Sequence, residues 1–349
     1  MDSTTDMLRE TAARLFSKHC EPKQLREAEK GIFQIAAWAA IEAAGLHRAL
    51  VPEDAGGYGM DIADALSLVR VSGEFALPLP LAETMLASYL LADAGIDMPH
   101  GPLTIAPVVA ADCLNLTRSG GEWHLSGTAS RIPWARDAAA IAVLAKCDGI
   151  PHVVLLAAAG LDVTRGENLA REPRDTVRID ATPVAVAATR VTLAQLRAIG
   201  AAMRSLQIAG ALARILAMTS QYAQDRVQFG RPIGKFQAVQ QNLAVLAGQT
   251  AAAGAASDLA AEAVAAGIRI LPIAAAKSRC GEAASIAAGI AHQTYGAIGF
   301  TQEHNLHFFI KRLWSWRDEF GNESEWNLLL GQHMANSGAD RLWAEITAA

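Results

Sequence analysis

Apolar side chains recur at helical spacing from the start of the chain: Met7, Leu8, Ala12, Leu15 and Phe16 mark one face of an amphipathic helix over residues 4–19. The same periodicity predicts helices over 27–44, 61–76 and 81–94. Gly45 ends the second, Pro78 and Pro80 stop the third, and Gly95 closes the fourth. Between the second and third, Val51 to Gly59 holds one proline and three glycines, a turn-rich stretch. It lacks the lysine and hydroxyl residue of a phosphate-binding loop, so a plain turn is preferred to a phosphate cradle.

The pattern changes near residue 101. Pro102, Pro107, Pro133, Pro151, Pro173 and Pro183 separate short runs rich in Val, Ile, Leu and Thr, too short for helices. Glu122 to Gly127 alternates polar with apolar, whereas 138–144 and 152–156 read as buried strands. After Thr192, a residue suited to capping, helical periodicity returns and holds to the end. It breaks at 230–234, near 267–272, at 296–301 and around Gly321. The expected organisation is a helical domain over 1–100, a β domain over 101–190 and a helical bundle over 191–349. Ala251, Ala255 and their neighbours would let helix axes approach closely, in a bundle core or at a subunit interface.

At 349 residues, 52% hydrophobic, the chain can build cores that need no disulfide or metal staple. Its 35 acidic and 30 basic residues are interspersed, which argues against a nucleic-acid partner. The longest apolar run, Val153 to Leu161, falls short of the ~20 residues that cross a bilayer, so no membrane span is expected. The acidic, polar start has no basic stretch of a secretory signal, and a cytoplasmic protein is expected. Cys20, Cys113, Cys147 and Cys280 are far apart and are read as reduced packing residues.

The most informative stretch runs from Asp225 to Gln240. It places the Arg226 guanidinium at the end of one helix and the free N–H groups of the next helix start nearby, with Gly230 and Gly234 between them. That arrangement suits an anionic diphosphate, and a helix–helix turn with a surface arginine accounts for it equally well. The residues themselves, Arg226-x-Gln228-Phe229-Gly230-x-Pro232-Ile233, then Phe236-Gln237 and Gln240, resemble the signature of the FAD-dependent acyl-CoA dehydrogenases. Val51 to Gly59, Trp123 to Gly127 and Gln293 to His304 are similar to other segments of that family.

The resemblance implies an α+β fold: an N-terminal helical domain, a central β-barrel and a C-terminal four-helix bundle. It also implies an FAD shared between chains, with the ADP half held at Arg226, Gln228, Phe229, Gln293, Gly296 and Gly299, and Gln237 as a weaker candidate. Ala297 stands where the family usually has glycine. The flavin-ring half departs further. The family's Thr-Glu-Pro-x-x-Gly-Ser-Asp segment corresponds to Ile105 to Asp112, which has lost its hydroxyl donors.

The family also needs a glutamate as base, in one of two places. Forward counting from Phe300 reaches Phe320, and backward counting from Arg226 reaches Gly200. Neither is a carboxylate. Glu319, next to the first position, is a weak candidate, because one helical step turns a side chain by about 100°. Loss of both ring segment and base, beside a retained ADP half, resembles the shorter, non-catalytic subunit of heteromeric, steroid-degrading acyl-CoA dehydrogenases. By analogy the chain is an oxidoreductase subunit of an α2β2 assembly, completing the FAD site of a catalytic partner chain that acts on an acyl-CoA and passes electrons to an electron-transfer flavoprotein. The alternatives are a homomeric enzyme using Glu319 and a non-enzymatic interaction protein on the same fold.

Other residues carry blander readings. Glu303, His304 and His307 lack a zinc-site spacing, and no metal is expected. Trp314, Trp316, Trp326, Trp343, Phe308, Phe309 and Phe320 could line an acyl pocket but are read as packing. Arg171 to Asp175 is read as a solvated mixed-charge loop.

Overall fold

Five helices come first in the computed structural model, which describes residues 3–300, 304–341 and 343–344. They are α1 (Ser3–His19), α2 (Pro22–Ala28), α3 (Ile35–Ala43), α4 (Ile62–Glu74) and α5 (Leu81–Asp93). The single helix expected over 27–44 is thus two. Gly31 takes φ +80° and its amide donates to the Ala28 carbonyl, a left-handed stop after α2 that the apolar periodicity ran through. Val51 to Gly59 forms turns. A Cβ on Gly57 would stand 1.9 Å from the Val51 carbonyl oxygen, so chain crossing accounts for that glycine.

Eight strands follow: β1 (Leu103–Ala106), β2 (Leu114–Ser119), β3 (Glu122–Pro133), β4 (Ala140–Cys147), β5 (Ile150–Ala157), β6 (Asp162–Thr164), β7 (Arg174–Ala181) and β8 (Ala185–Ala188). They form one mixed sheet in the order β6-β7-β3-β2-β4-β5-β8, with β1 parallel to β4. The ladder ends at β6 and β8, so the expected barrel is here a sheet whose hydrogen bonds do not close into a ring. Alternate inward residues build its core, among them Leu125, Val143, Val154 and Val177. A register shift between Ala129 and Ile132 bends the long β3.

The charged run at 171–175 is largely buried, which corrects its reading as a solvated loop. Asp175 is inaccessible to solvent and pairs with Arg136, whose Nε lies 2.9 Å away, while buried Arg174 meets buried Glu172 at 3.0 Å. Mixed charges read the same in sequence whether water or a partner satisfies them, and here the partner Arg136 comes from a distant turn. The cysteines also divide: Cys280 is buried, Cys113 is exposed, and all four are free thiols.

The chain closes with α6 (Leu193–Asp225), a hairpin of β9 (Val227–Gln228) and β10 (Arg231–Pro232), then α7 (Gln237–Ala265), α8 (Ile270–Tyr295), α9 (Leu306–Asp318) and α10 (Glu323–Ser337). Thr192 and Gln195 cap α6 reciprocally: the Gln195 amide donates to Thr192 Oγ1 and the Thr192 amide to Gln195 Oε1. By length and composition α6 could cross a membrane, but 83% of its apolar window is buried within the fold, as for a core helix. By compactness the chain forms two units, Met1–Ser72 with Leu77–Arg197, and Gly73–Ala76 with Ala198–Ala349.

Candidate functional site

Within the second unit, the hairpin after α6 turns at Phe229 and Gly230, both at positive φ (+52° and +80°), with Gln228 paired to Arg231. Such tight turns favour Asn-Gly or Gly-Gly, and a phenylalanine pays a steric cost at this position. Burial within the chain does not offset that cost, because Phe229 is 92% exposed. Its ring stands nearly perpendicular to that of Phe236, with centroids 6.1 Å apart, while the Arg231 guanidinium lies 4.3 Å over Phe236.

Gln228, Phe229 and Phe236 line an open groove of about 310 Å³ with Ala238, Asn242 and Gln293. The groove thus unites Gln228 and Phe229 with Gln293, from the far end of α8. It also runs along the first turn of α7, which has neither a side-chain cap nor an acidic residue. The free N–H groups and partial positive charge of such a helix start attract an anion. Arg226, just before β9, is exposed and forms no ion pair among the described residues.

The remaining expected residues fare differently. Gln237 is exposed at the start of α7, outside the groove lining. Gly296 takes φ +62°, and a Cβ there would meet nothing within 4 Å, which leaves its backbone open to a ligand. Gly299 is buried, and a Cβ would come within 2.9 Å of Tyr295 Cβ, so packing inside the chain explains that glycine. Phe236 and Thr294 line the groove from within the two family-like segments without having been assigned to the cofactor, and Asn242 lies outside both segments. The helical step from Phe236 through Val239 to Asn242 was the available signal.

The segment after β1 lies in the first unit and lines a smaller pocket, about 190 Å³, with Leu193, Ala194 and Arg197. Pro107, Val108, Val109 and Ala110 offer it no hydroxyl, and the Asp112 carboxylate accepts the Ser130 amide at 2.8 Å.

The two positions where a base was expected meet in space. A Cβ built on Gly200 would fall 2.3 Å from the Phe320 ring, so the ring fills the volume a side chain at 200 would need. Phe320 sits at φ +57°, its carbonyl accepting from Trp326 Nε1 at 3.1 Å. Glu319, the weak candidate, points to an arginine instead: its Oε2 is 2.7 Å from Arg204 Nε, and both are buried. Arg204 also donates to Gln207. Lys277 completes the clamp, its buried Nζ donating to the carbonyls of Arg317 and, at 2.8 Å, Gly321.

Burial pulls the Lys277 ammonium down to about 8, against the opposing pull of Glu323 and other neighbours. The unfolded chain keeps that proton up to the ordinary lysine value of 10.5, so between the two values it binds more protons than the folded chain. Stability from this group therefore rises with pH in that window, by at most ~1.4 kcal/mol per pH unit. Denaturant titrations of wild type and Lys277→Met, in reductant at pH ~7.5 and ~9.5, should show wild type gaining ~2 kcal/mol relative to the variant.

No group of His, Cys, Asp and Glu suited to a metal occurs among the described residues, and Glu303 lies outside them. Of the aromatic residues read as packing, Trp316, Trp326, Phe308, Phe309 and Phe320 are buried, whereas Trp314 and Trp343 are exposed.

Residues 2–97 match the acyl-CoA dehydrogenase N-terminal domain and residues 189–317 the acyl-CoA dehydrogenase C-terminal domain. The chain is 32% identical over 312 residues to acyl-CoA dehydrogenase IpdE2 of Mycobacterium tuberculosis, covering 88% of this chain and 89% of that protein. Among solved structures, the Tcur3481-Tcur3483 steroid ACAD is 26% identical, with a TM-score of 0.86 over 99% of both chains. The ChsE4-ChsE5 complex from Mycobacterium tuberculosis shares the fold at 23% identity, with a TM-score of 0.85 over 97% of this chain and 99% of that one.

Proposed function

The chain belongs to the acyl-CoA dehydrogenase family, and we propose that within it this chain is a non-catalytic subunit that completes the FAD site of a catalytic partner. The observation that carries this reading is the Phe320 ring seated on Gly200. Both places for a base are occupied by one apolar plug, and the neighbouring Glu319 is committed to Arg204. A base must reach the substrate proton within hydrogen-bonding distance, and a carboxylate buried against a guanidinium cannot. The homomeric alternative with Glu319 as base loses its support.

The groove fits one half of FAD. Arg226 and the uncapped start of α7 suit a diphosphate, Gln228 and Gln293 offer polar contacts, and Phe229 offers an apolar face. Gln237 stands at the same helix start, and the open backbone at Gly296 adds donors. Gly299 serves by packing. The hydroxyl-poor segment at 107–112 does not fit the flavin ring, so the ring belongs to the partner. When bound, FAD supplies the hydride acceptor for α,β-desaturation of an acyl-CoA thioester. This chain contributes binding and orientation, while the partner supplies the base.

The named two-protein relatives, one described as a steroid ACAD, support a partner chain and a bulky, steroid-type acyl-CoA; an α2β2 assembly and an electron-transfer flavoprotein as acceptor complete the proposal by analogy with the family. Tagging the chain in its native host and isolating its assembly tests the reading. Half as many flavins as polypeptides are expected, with a second acyl-CoA dehydrogenase chain present. A yellow, active protein made of this chain alone would overturn it. Flavin-free assemblies throughout would favour the non-enzymatic reading instead.

A further inference from the structure

Three rings stand where the two nucleotide-binding segments begin. Tyr222, in the last turn of α6, stacks on Tyr295, the last residue of α8, with centroids 4.1 Å apart and planes 21° from parallel. His304 lies against Tyr295 at 4.5 Å and turns its edge to Tyr222 at 6.2 Å. Tyr295 Oη donates to the Met218 carbonyl of α6 at 2.9 Å. His304 Nδ1 accepts the Leu306 amide at 3.3 Å, which requires a neutral imidazole. Burial and neighbouring His307 hold the His304 pKa below its ordinary value and favour that form. Burial, with Tyr222 adding, pushes the Tyr295 hydroxyl to about 12, so it stays a donor.

Each segment grows directly out of this stack. The Arg226 amide donates to the Tyr222 carbonyl at 2.9 Å, and the Ile233 amide to the Arg226 carbonyl at 2.8 Å, which ties the hairpin to Tyr222. On the other side, Gln293 precedes Tyr295 by two residues and Gly296 follows it. Gln228 and Phe229 from the first segment line one groove with Gln293 and Thr294 from the second, and none of the three rings is part of that lining.

We infer that the Tyr222–Tyr295–His304 stack is the joint that sets the spacing of the two nucleotide-gripping segments, making these three positioning residues for the FAD of the assembly. The inference rests on the proposed assignment of the ADP half to this groove. Stacked rings resist sliding, and such a pair contributes beyond its buried area. Sliding Tyr222 over Tyr295 would carry the hairpin away from Gln293 and open the groove without removing any contact group.

Reconstitution of the native assembly, stripped of flavin and titrated with FAD, tests this, with thermal melting of the isolated chain alongside. Arg226→Ala, Tyr222→Leu and Tyr295→Phe are compared with wild type. Tyr222→Leu should raise the FAD dissociation constant about tenfold, the equivalent of ~1.4 kcal/mol. Tyr295→Phe keeps the stack and loses only the Met218 bond, so it should bind FAD within about twofold of wild type while melting lower. Wild-type affinity in Tyr222→Leu, with Arg226→Ala weakened, would reduce the stack to ordinary packing. Wild-type affinity in Arg226→Ala would instead overturn the assignment of the groove. Should Tyr222→Leu fail to fold, His304→Ala carries the same comparison: weakened FAD binding supports the joint, and unchanged binding overturns it.

Discussion

Glu319→Ala is expected to destabilise the chain by ~3–5 kcal/mol, the usual cost of leaving one partner of a buried ion pair behind. The Arg204 guanidinium would remain buried, still donating to Gln207 but without its carboxylate. If the second unit melts on its own, a loss of that size lowers its midpoint by about 10 °C. The double variant Arg204→Met/Glu319→Leu should recover most of the loss, since apolar replacement of a buried pair is often neutral or better. The assembled enzyme separates structure from chemistry: turnover per flavin and its pH profile should match wild type in Glu319→Gln. Removal of a catalytic base would instead cost orders of magnitude in rate. Parallel denaturation and turnover measurements decide between the two.

Much of the architecture was legible because periodicity and punctuation agreed. Prolines flank most of the strands, with Pro133 ending β3 and Pro151 inside β5, Thr192 announced α6, and the breaks at 230–234, 267–272 and 296–301 coincide with the ends of its helices. The helix expected over 27–44 failed for a local reason, a left-handed glycine inside an unbroken apolar pattern. The charged run at 171–175 failed for a non-local one, since burial of Asp175 depends on Arg136 from another turn.

The candidate site divides the same way. Arg226, Gln228 and Phe229 stand out as a motif, and residue counting found Gly200 and Phe320. That those two positions touch, that Glu319 faces Arg204, and that Tyr222 stacks on Tyr295 are facts of tertiary packing. No spacing rule joins residues so far apart in the chain. The role of Gly299 shows the limit from the other side: a glycine inside a ligand motif is explained here by Tyr295 and His292 packing around it.

The plug itself yields the sharpest double-mutant cycle. Gly200→Ala places a methyl 2.3 Å from the Phe320 ring, closer than packed carbon atoms stand, so the ring or α6 must move. Overpacking of this kind costs ~1–3 kcal/mol, against a gain of up to ~1 kcal/mol from replacing glycine inside a helix. Alone the substitution should destabilise. In a Phe320→Ala background, itself weakened by ~3–5 kcal/mol, the methyl finds room and Gly200→Ala should become stabilising. The sign reversal, read from denaturant midpoints, is the signature of direct contact, whereas independent sites would give additive effects. Gly200→Glu extends the same argument to function. With Phe320 in place a carboxylate there has no volume to occupy, so the variant should lose stability and gain no dehydrogenase activity. A folded Gly200→Glu chain that oxidised acyl-CoA without its partner would mean that the Phe320 ring yields easily, and that this half-site was closed by one missing side chain rather than by a filled core.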